Sequence, residues 1–123
     1  MQNKIISFTD LRVWQIGHEI ILSIYQESKT FPKVEMFGLI SQLRRAAVSI
    51  TSNIAEGFSR SGAKEKIYFY AIALGSLTEV QNQLLIAKDL SYLKPEIFLA
   101  ISEQLIQVQK MIHGLIKSAT SRP

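Results

Sequence analysis

The sequence predicts an all-α protein, an up-down-up-down antiparallel four-helix bundle, and three observations carry that prediction. Apolar residues recur at spacings of three and four nearly everywhere. The three prolines stand at positions 32, 95 and 123, outside every long periodic stretch. The links between the stretches are about five residues long, and short links force neighbouring helices to run antiparallel. A chain of 123 residues makes one domain, 1–123, around one core.

The first helix is expected over residues 10–29, capped by Thr9 or Asp10, with Val13, Trp14, Gly17, Ile20, Ile21, Ile24 and Tyr25 on its apolar stripe. It ends ahead of Phe31-Pro32. The second, over 35–56, places Leu39, Ile40, Leu43, Ala47, Ile50 and Ile54 on one stripe, with Gly57 as the left-handed residue that stops it. The third, over 63–90, follows Ser61 as cap and carries Ile67, Tyr70, Ala71, Leu74, Leu77, Leu84 and Leu85. The fourth, over 95–118, starts at Pro95, a favoured first helical position, and Glu96 suits the positive end of its dipole. Ile97, Ile101, Leu105, Val108, Ile112, Leu115 and Ile116 form its stripe.

Hydrophobic residues make up 47% of the chain and charged residues 20%, the balance of a folded domain rather than a disordered one. No cysteine is present, which excludes disulfides, thiolate metal sites and cysteine nucleophiles. No run approaches the roughly 20 apolar residues of a membrane span, and MQNKIISFTDLR lacks the apolar stretch and cleavage site of a signal peptide. A cytoplasmic protein with no membrane partner is expected. The first helix also holds Ile16, Ile20, Ile21, Leu22 and Ile24, and the third Ile67, Tyr68, Phe69, Tyr70, Ile72 and Leu74, more apolar surface than one stripe requires. A second buried face, and with it a homo-oligomer, is the expectation.

Motifs for catalysis are missing. His18 and Glu19 are adjacent and face about 100° apart on a helix, so they cannot share a metal, and His113 has no acid three or four residues away. There is no Gly-x-Ser-x-Gly elbow and no glycine-rich phosphate loop. A non-enzyme without metal or cofactor is expected.

Two polar clusters remain. On the second helix Gln42, Arg45, Ser49, Ser52, Asn53 and Glu56 recur at three and four. They read either as a ligand or nucleic-acid surface or, preferably, as a partly buried network reaching Glu79 and Gln83 of the third helix or a neighbouring subunit. Arg60, Lys64 and Lys66 crowd the link into the third helix, and the net charge is +4. Together with Lys29 and Lys33 they are the candidate phosphate contacts for RNA or DNA.

The motifs Leu-x-Val-Trp (11–14), Gln-Leu-Arg-Arg-Ala (42–46), Ser-Asn-Ile-Ala-Glu-Gly (52–57) and Ala-Leu-Gly-Ser-Leu-x-Glu (73–79) resemble those of the four-helix-bundle proteins encoded by intervening sequences in bacterial 23S ribosomal RNA genes. The resemblance covers nearly the whole chain. It implies a ring-shaped homopentamer with no known catalytic residues, and a likeness to the accessory variability protein of diversity-generating retroelements, which binds nucleic acid and a reverse transcriptase. Trp14, Arg44, Arg45, Ser52, Asn53, Glu56, Gly57 and Glu79 match the family's characteristic residues. Thr51 stands where proline is common, and His113 where asparagine is common. Two functions follow as expectations: an oligomeric accessory protein that binds structured RNA or an RNA–DNA hybrid, or a scaffold that recruits a partner enzyme such as a reverse transcriptase.

Overall fold

In the computed structural model, which describes residues 4–121, the chain forms α1 (Arg12–Ser28), α2 (Leu39–Ser59), α3 (Ala63–Asp89) and α4 (Pro95–Thr120). Short 3-10 turns at Phe8–Asp10 and Lys33–Glu35 precede α1 and α2. α1 and α3 each pack on both α2 and α4, and one core fills the space between them. Ile20, Ile24, Leu43, Ile50, Ile54, Leu77, Leu84, Leu105 and Ile112 are its largest sealed side chains.

The starts of α1 and α2 and the caps of α1 and α3 differ from the expected ones. Thr9 and Asp10 do not cap α1 but lie in the preceding turn, where Asp10 Oδ2 accepts from Ile6 N and Ser7 N, both at 2.9 Å. Leu11 takes the cap position of α1 without a side-chain bond. Glu35, expected to open the second helix, instead stands before it: Oε1 accepts from Leu39 N at 3.3 Å and Oε2 from the Tyr92 hydroxyl at 3.1 Å. Burial, with Glu35 alongside, holds that phenol above the usual tyrosine range. Gly62, not Ser61, is the N-cap of α3. Pro95 opens α4 as expected.

Gly57 does not end α2. The helix continues to Ser59, and no glycine among the described residues has a positive φ. A Cβ at position 57 would lie 2.5 Å from Tyr70 Cε1 and 2.8 Å from its Cδ1, so the missing side chain lets the buried tyrosine ring lie on the α2 backbone. The left-handed residue sits at the end of α3, where Ser91 has φ 64°. There Ser91 N donates to Lys88 O at 2.9 Å and Tyr92 N to Ala87 O at 2.8 Å, a Schellman closure.

α3 has apolar residues around its whole circumference, so the period alone misplaced part of its stripe. Ala71 and Leu85 face outward, while Ala73, Ser76, Val80, Gln83 and Ala87 join Tyr70, Leu77 and Leu84 on the buried face.

The two glycines at 57 and 75 should respond to substitution in opposite directions. Gly57→Ala gains up to about 1 kcal/mol of helix propensity but meets the buried Tyr70 ring, at about 1–3 kcal/mol for overpacking. Gly75 faces open space. Urea unfolding should therefore show Gly57→Ala destabilised and Gly75→Ala stabilised by up to about 1 kcal/mol.

Candidate nucleic-acid interface and the polar groove

The five candidate basic residues do not form one surface. Lys33 lies just before α2 and Arg60 just after it, and a helix of 21 residues spans about 30 Å. Lys29 and Lys33 border a separate cleft near Tyr25, Phe31 and Arg44. Arg60, Lys64 and Lys66 sit at the other end of α2. A cleft of about 350 Å³ lined by Leu11, Phe58, Lys66, Tyr70, Leu115 and Ala119 shows which chain segments meet there. The end thus gathers Lys4, Arg12, Arg60, Lys64, Lys66 and Lys117 against Asp10, Glu56 and Glu65.

Within this cluster two cations already have internal work. Arg60 Nη2 lies 2.6 Å from Glu56 Oε2 and Nη1 3.7 Å from Glu65 Oε2, while its guanidinium covers the Phe69 ring at 5.0 Å. Lys66 Nζ donates to Gly57 O at 3.1 Å and Phe58 O at 2.9 Å, placing a positive charge on the last carbonyls of α2, where the helix dipole favours one. Lys64 is exposed and has no ion pair among the described residues.

Part of the polar stripe on α2 is hydrogen-bonded as a unit. Ser49 Oγ and Ser76 Oγ are 2.7 Å apart, and Asn53 Nδ2 donates to Ser49 O at 2.8 Å and Ser49 Oγ at 3.1 Å. Ser52 is exposed and stands outside this unit, and Glu56 turns to Arg60 instead. Arg45, Glu79 and Gln83 line an adjoining groove. Arg44 carries a role that sequence reasoning did not assign. Its Nε donates to Ser28 Oγ at 2.9 Å, its Nη2 to Tyr25 O at 3.4 Å, and its guanidinium covers the Tyr25 ring at 4.6 Å, tying α2 to the end of α1. The signal was available only as an Arg one position off the apolar stripe. His18 is exposed and stacks on Trp14, with centroids 4.8 Å apart. No group of three or more His, Cys, Asp or Glu among the described residues could hold a metal ion. No helix among the described residues is long and apolar enough to cross a membrane.

A small four-helix bundle with a basic end is the class that these features define. Over residues 9–114 the sequence matches the 23S rRNA-intervening sequence protein family. The chain belongs to that family. Its fold is similar to the crystal structure of a protein with unknown function from the S23 ribosomal protein family of Bacteroides thetaiotaomicron VPI-5482, at 23% identity and a TM-score of 0.78, covering 85% of this chain and 98% of that one. No curated protein matches the sequence.

Lysines 64 and 66 differ in what they should do to stability. Lys66→Met is expected to cost about 1–2 kcal/mol in urea unfolding, because charged donors leave two helix-terminal carbonyls. Lys64→Met should stay within about 0.5 kcal/mol of the parent.

Asp10 gives a pH signature. The backbone N–H groups of Ser7 and then Ile6 hold its carboxyl below the ordinary aspartate range. A depressed folded pKa contributes stability above the unfolded carboxylate value of about 3.9, and that contribution is lost as pH falls through the folded value. Urea midpoints followed from about pH 7 to about pH 3 should show Asp10→Asn less stable than the parent at neutral pH, the gap closing in acid.

Proposed function

We propose that this chain is a non-enzymatic, homo-oligomeric accessory protein that binds structured nucleic acid, RNA or an RNA–DNA hybrid, through the basic end of its bundle. The observation that carries the reading is the excess of cations in the chain segments that meet at that end, Lys4, Arg12, Arg60, Lys64, Lys66 and Lys117 against Asp10, Glu56 and Glu65 among the described residues. Phosphates need little more than such cations, and their binding releases counterions. Lys64 and Lys117 are the contacts with the most freedom to engage, since Arg60 and Lys66 also serve the fold. Lys29 and Lys33 drop out of this surface.

The bundle is read as up-down-up-down and antiparallel. Support comes from the pairing of Ser49 with Ser76 and of Gly57 with Tyr70, in which later residues of α2 meet earlier residues of α3. Oligomerisation, and the ring-shaped homopentamer that the family resemblance implies, would cover the apolar residues that α3 leaves exposed, Tyr68, Ile72, Leu85 and Ile86 among them. A scaffold that recruits a partner enzyme such as a reverse transcriptase is the second reading. It is favoured by Val34 and Phe37, 86% and 96% exposed ahead of α2.

Binding to a mixed RNA and DNA pool, titrated against salt, tests the first reading. The log–log slope should be negative, and Lys64→Glu with Lys117→Glu should reduce its magnitude by about 2, roughly one unit per lost phosphate contact. Weak binding at low salt with no slope would sink it. Sedimentation as a 13.9 kDa monomer at micromolar concentration would remove the oligomer.

A further inference from the structure

α3 carries two seams. Inward, Tyr70, Ala73, Leu77, Val80, Leu84 and Ala87 recur at three and four and are buried in the core. Outward, Tyr68, Ile72, Gly75, Glu79, Asn82 and Ile86 recur at four and three, and every one of them is exposed. Alternating steps of three and four keep one line of side chains turned towards a neighbouring helix, so the outward seam has the spacing of a helix contact while none of the described helices lies on it. Glu79 is the one charged residue between positions 67 and 87, and it stands on that seam. α1 has the same pattern on its outer side. Gln15, His18, Leu22, Tyr25 and Lys29 recur at three and four, and all five are exposed, Leu22 by 57%. This line is positive at its end: Lys29 closes it, the Arg44 guanidinium covers Tyr25 at 4.6 Å, and the acids Glu19 and Glu27 stand off it. Because α1 and α3 each pack on both α2 and α4, the two outward seams belong to different sides of the bundle.

We propose that the outward seam of α3 packs on the outward seam of α1 of a second copy, head to tail. This rests on the oligomeric, up-down-up-down reading above, in which α1 and α3 run the same way and copies standing side by side bring the two helices together in parallel. The steps from 22 to 25 to 29 repeat those from 72 to 75 to 79. One register therefore sets Leu22 against Ile72 and Lys29 against Glu79, and it places Tyr25 over Gly75, where a Cβ would meet nothing of its own chain within 4 Å. Apolar burial drives such a contact, and the opposite charges choose its register and its partner. A two-fold contact of α3 with α3 would bring two copies of Glu79 to a seam that has no cation. A contact between two different surfaces leaves each copy with one seam still open, so it repeats from copy to copy.

The chain has no cysteine, so introduced thiols report on this contact alone. The test oxidises full-length Leu22→Cys/Ile72→Cys mildly and separates it on a non-reducing gel, since a disulfide closes only where the Cα atoms lie about 4.4–6.8 Å apart. The double variant should give a ladder of linked chains, while Leu22→Cys and Ile72→Cys alone should stay at the 13.9 kDa chain mass. In sedimentation, Lys29→Glu and Glu79→Lys should each weaken association about tenfold, and the two together should regain most of the loss. All four positions are exposed, and circular dichroism checks the helix content of each variant. Three results would overturn the proposal: a parent that sediments as a monomer, which also removes the oligomeric reading and leaves the seams to a partner of another sequence; an oligomeric parent whose double variant gives no ladder, which removes this contact alone; or linked dimers from either single variant, which would mean a two-fold contact.

Discussion

The arrangement of α2 and α3 depends on one close approach, where the ring of Tyr70 lies on the backbone of α2 at Gly57. Any side chain at 57 would stand between ring and helix. With none there, the two helices come near enough for Ser49 and Ser76 to hydrogen-bond across the contact at 2.7 Å, and for Lys66 to reach the last carbonyls of α2. Helix packing, a part-buried polar pair and the capping of a helix end thus share one geometric cause. A part-buried hydroxyl pair at such a contact also favours one register, because sliding either helix by a turn would break the bond between Ser49 and Ser76.

Electrostatics then follow from the packing. At the end where α2 stops and α3 begins, Arg60, Lys64 and Lys66 come together, and the last carbonyls of α2 attract Lys66. Two of the three are drawn into the fold, one by carboxylates and one by backbone oxygens. A basic cluster in a sequence therefore overstates the charge available to a ligand when it sits beside a helix terminus. At the other end of α2, Arg44 is bound in the same way by Ser28 and Tyr25.

Much of the fold was legible because burial along α1, α2 and α4 follows a single stripe. Ile20, Ile24, Ile40, Leu43, Ile50, Ile54, Ile101, Leu105, Val108 and Ile112 are all buried where the period placed them. α3 was harder, since a helix that is apolar all round has no phase to read, and Ala71 and Leu85 turned outward. Helix starts were harder still. At α2 a side chain ahead of the helix takes part, Glu35 bonding to Leu39 N, whereas α1, α3 and α4 have no side-chain cap to mark their starts. The grouping of the basic candidates was not legible in the sequence, because Lys29 and Lys33 are separated from Arg60 by the whole length of α2.

By itself the sequence determined four helices, the stripes that pack three of them and the family to which the chain belongs, since periodicity, proline placement and motifs are local properties of the chain. Tertiary structure decided what each polar residue does. Gly57 became a packing surface rather than a stop, Lys66 a helix cap rather than a free cation, and Ser49 the partner of Ser76 rather than of its own helix neighbours alone. The physical reason is that a polar group's energy depends on which donor or acceptor lies within hydrogen-bond distance. Along this chain the deciding partners stand 9 to 57 residues away, as with Lys66 and Gly57, Ser49 and Ser76, and Glu35 and Tyr92.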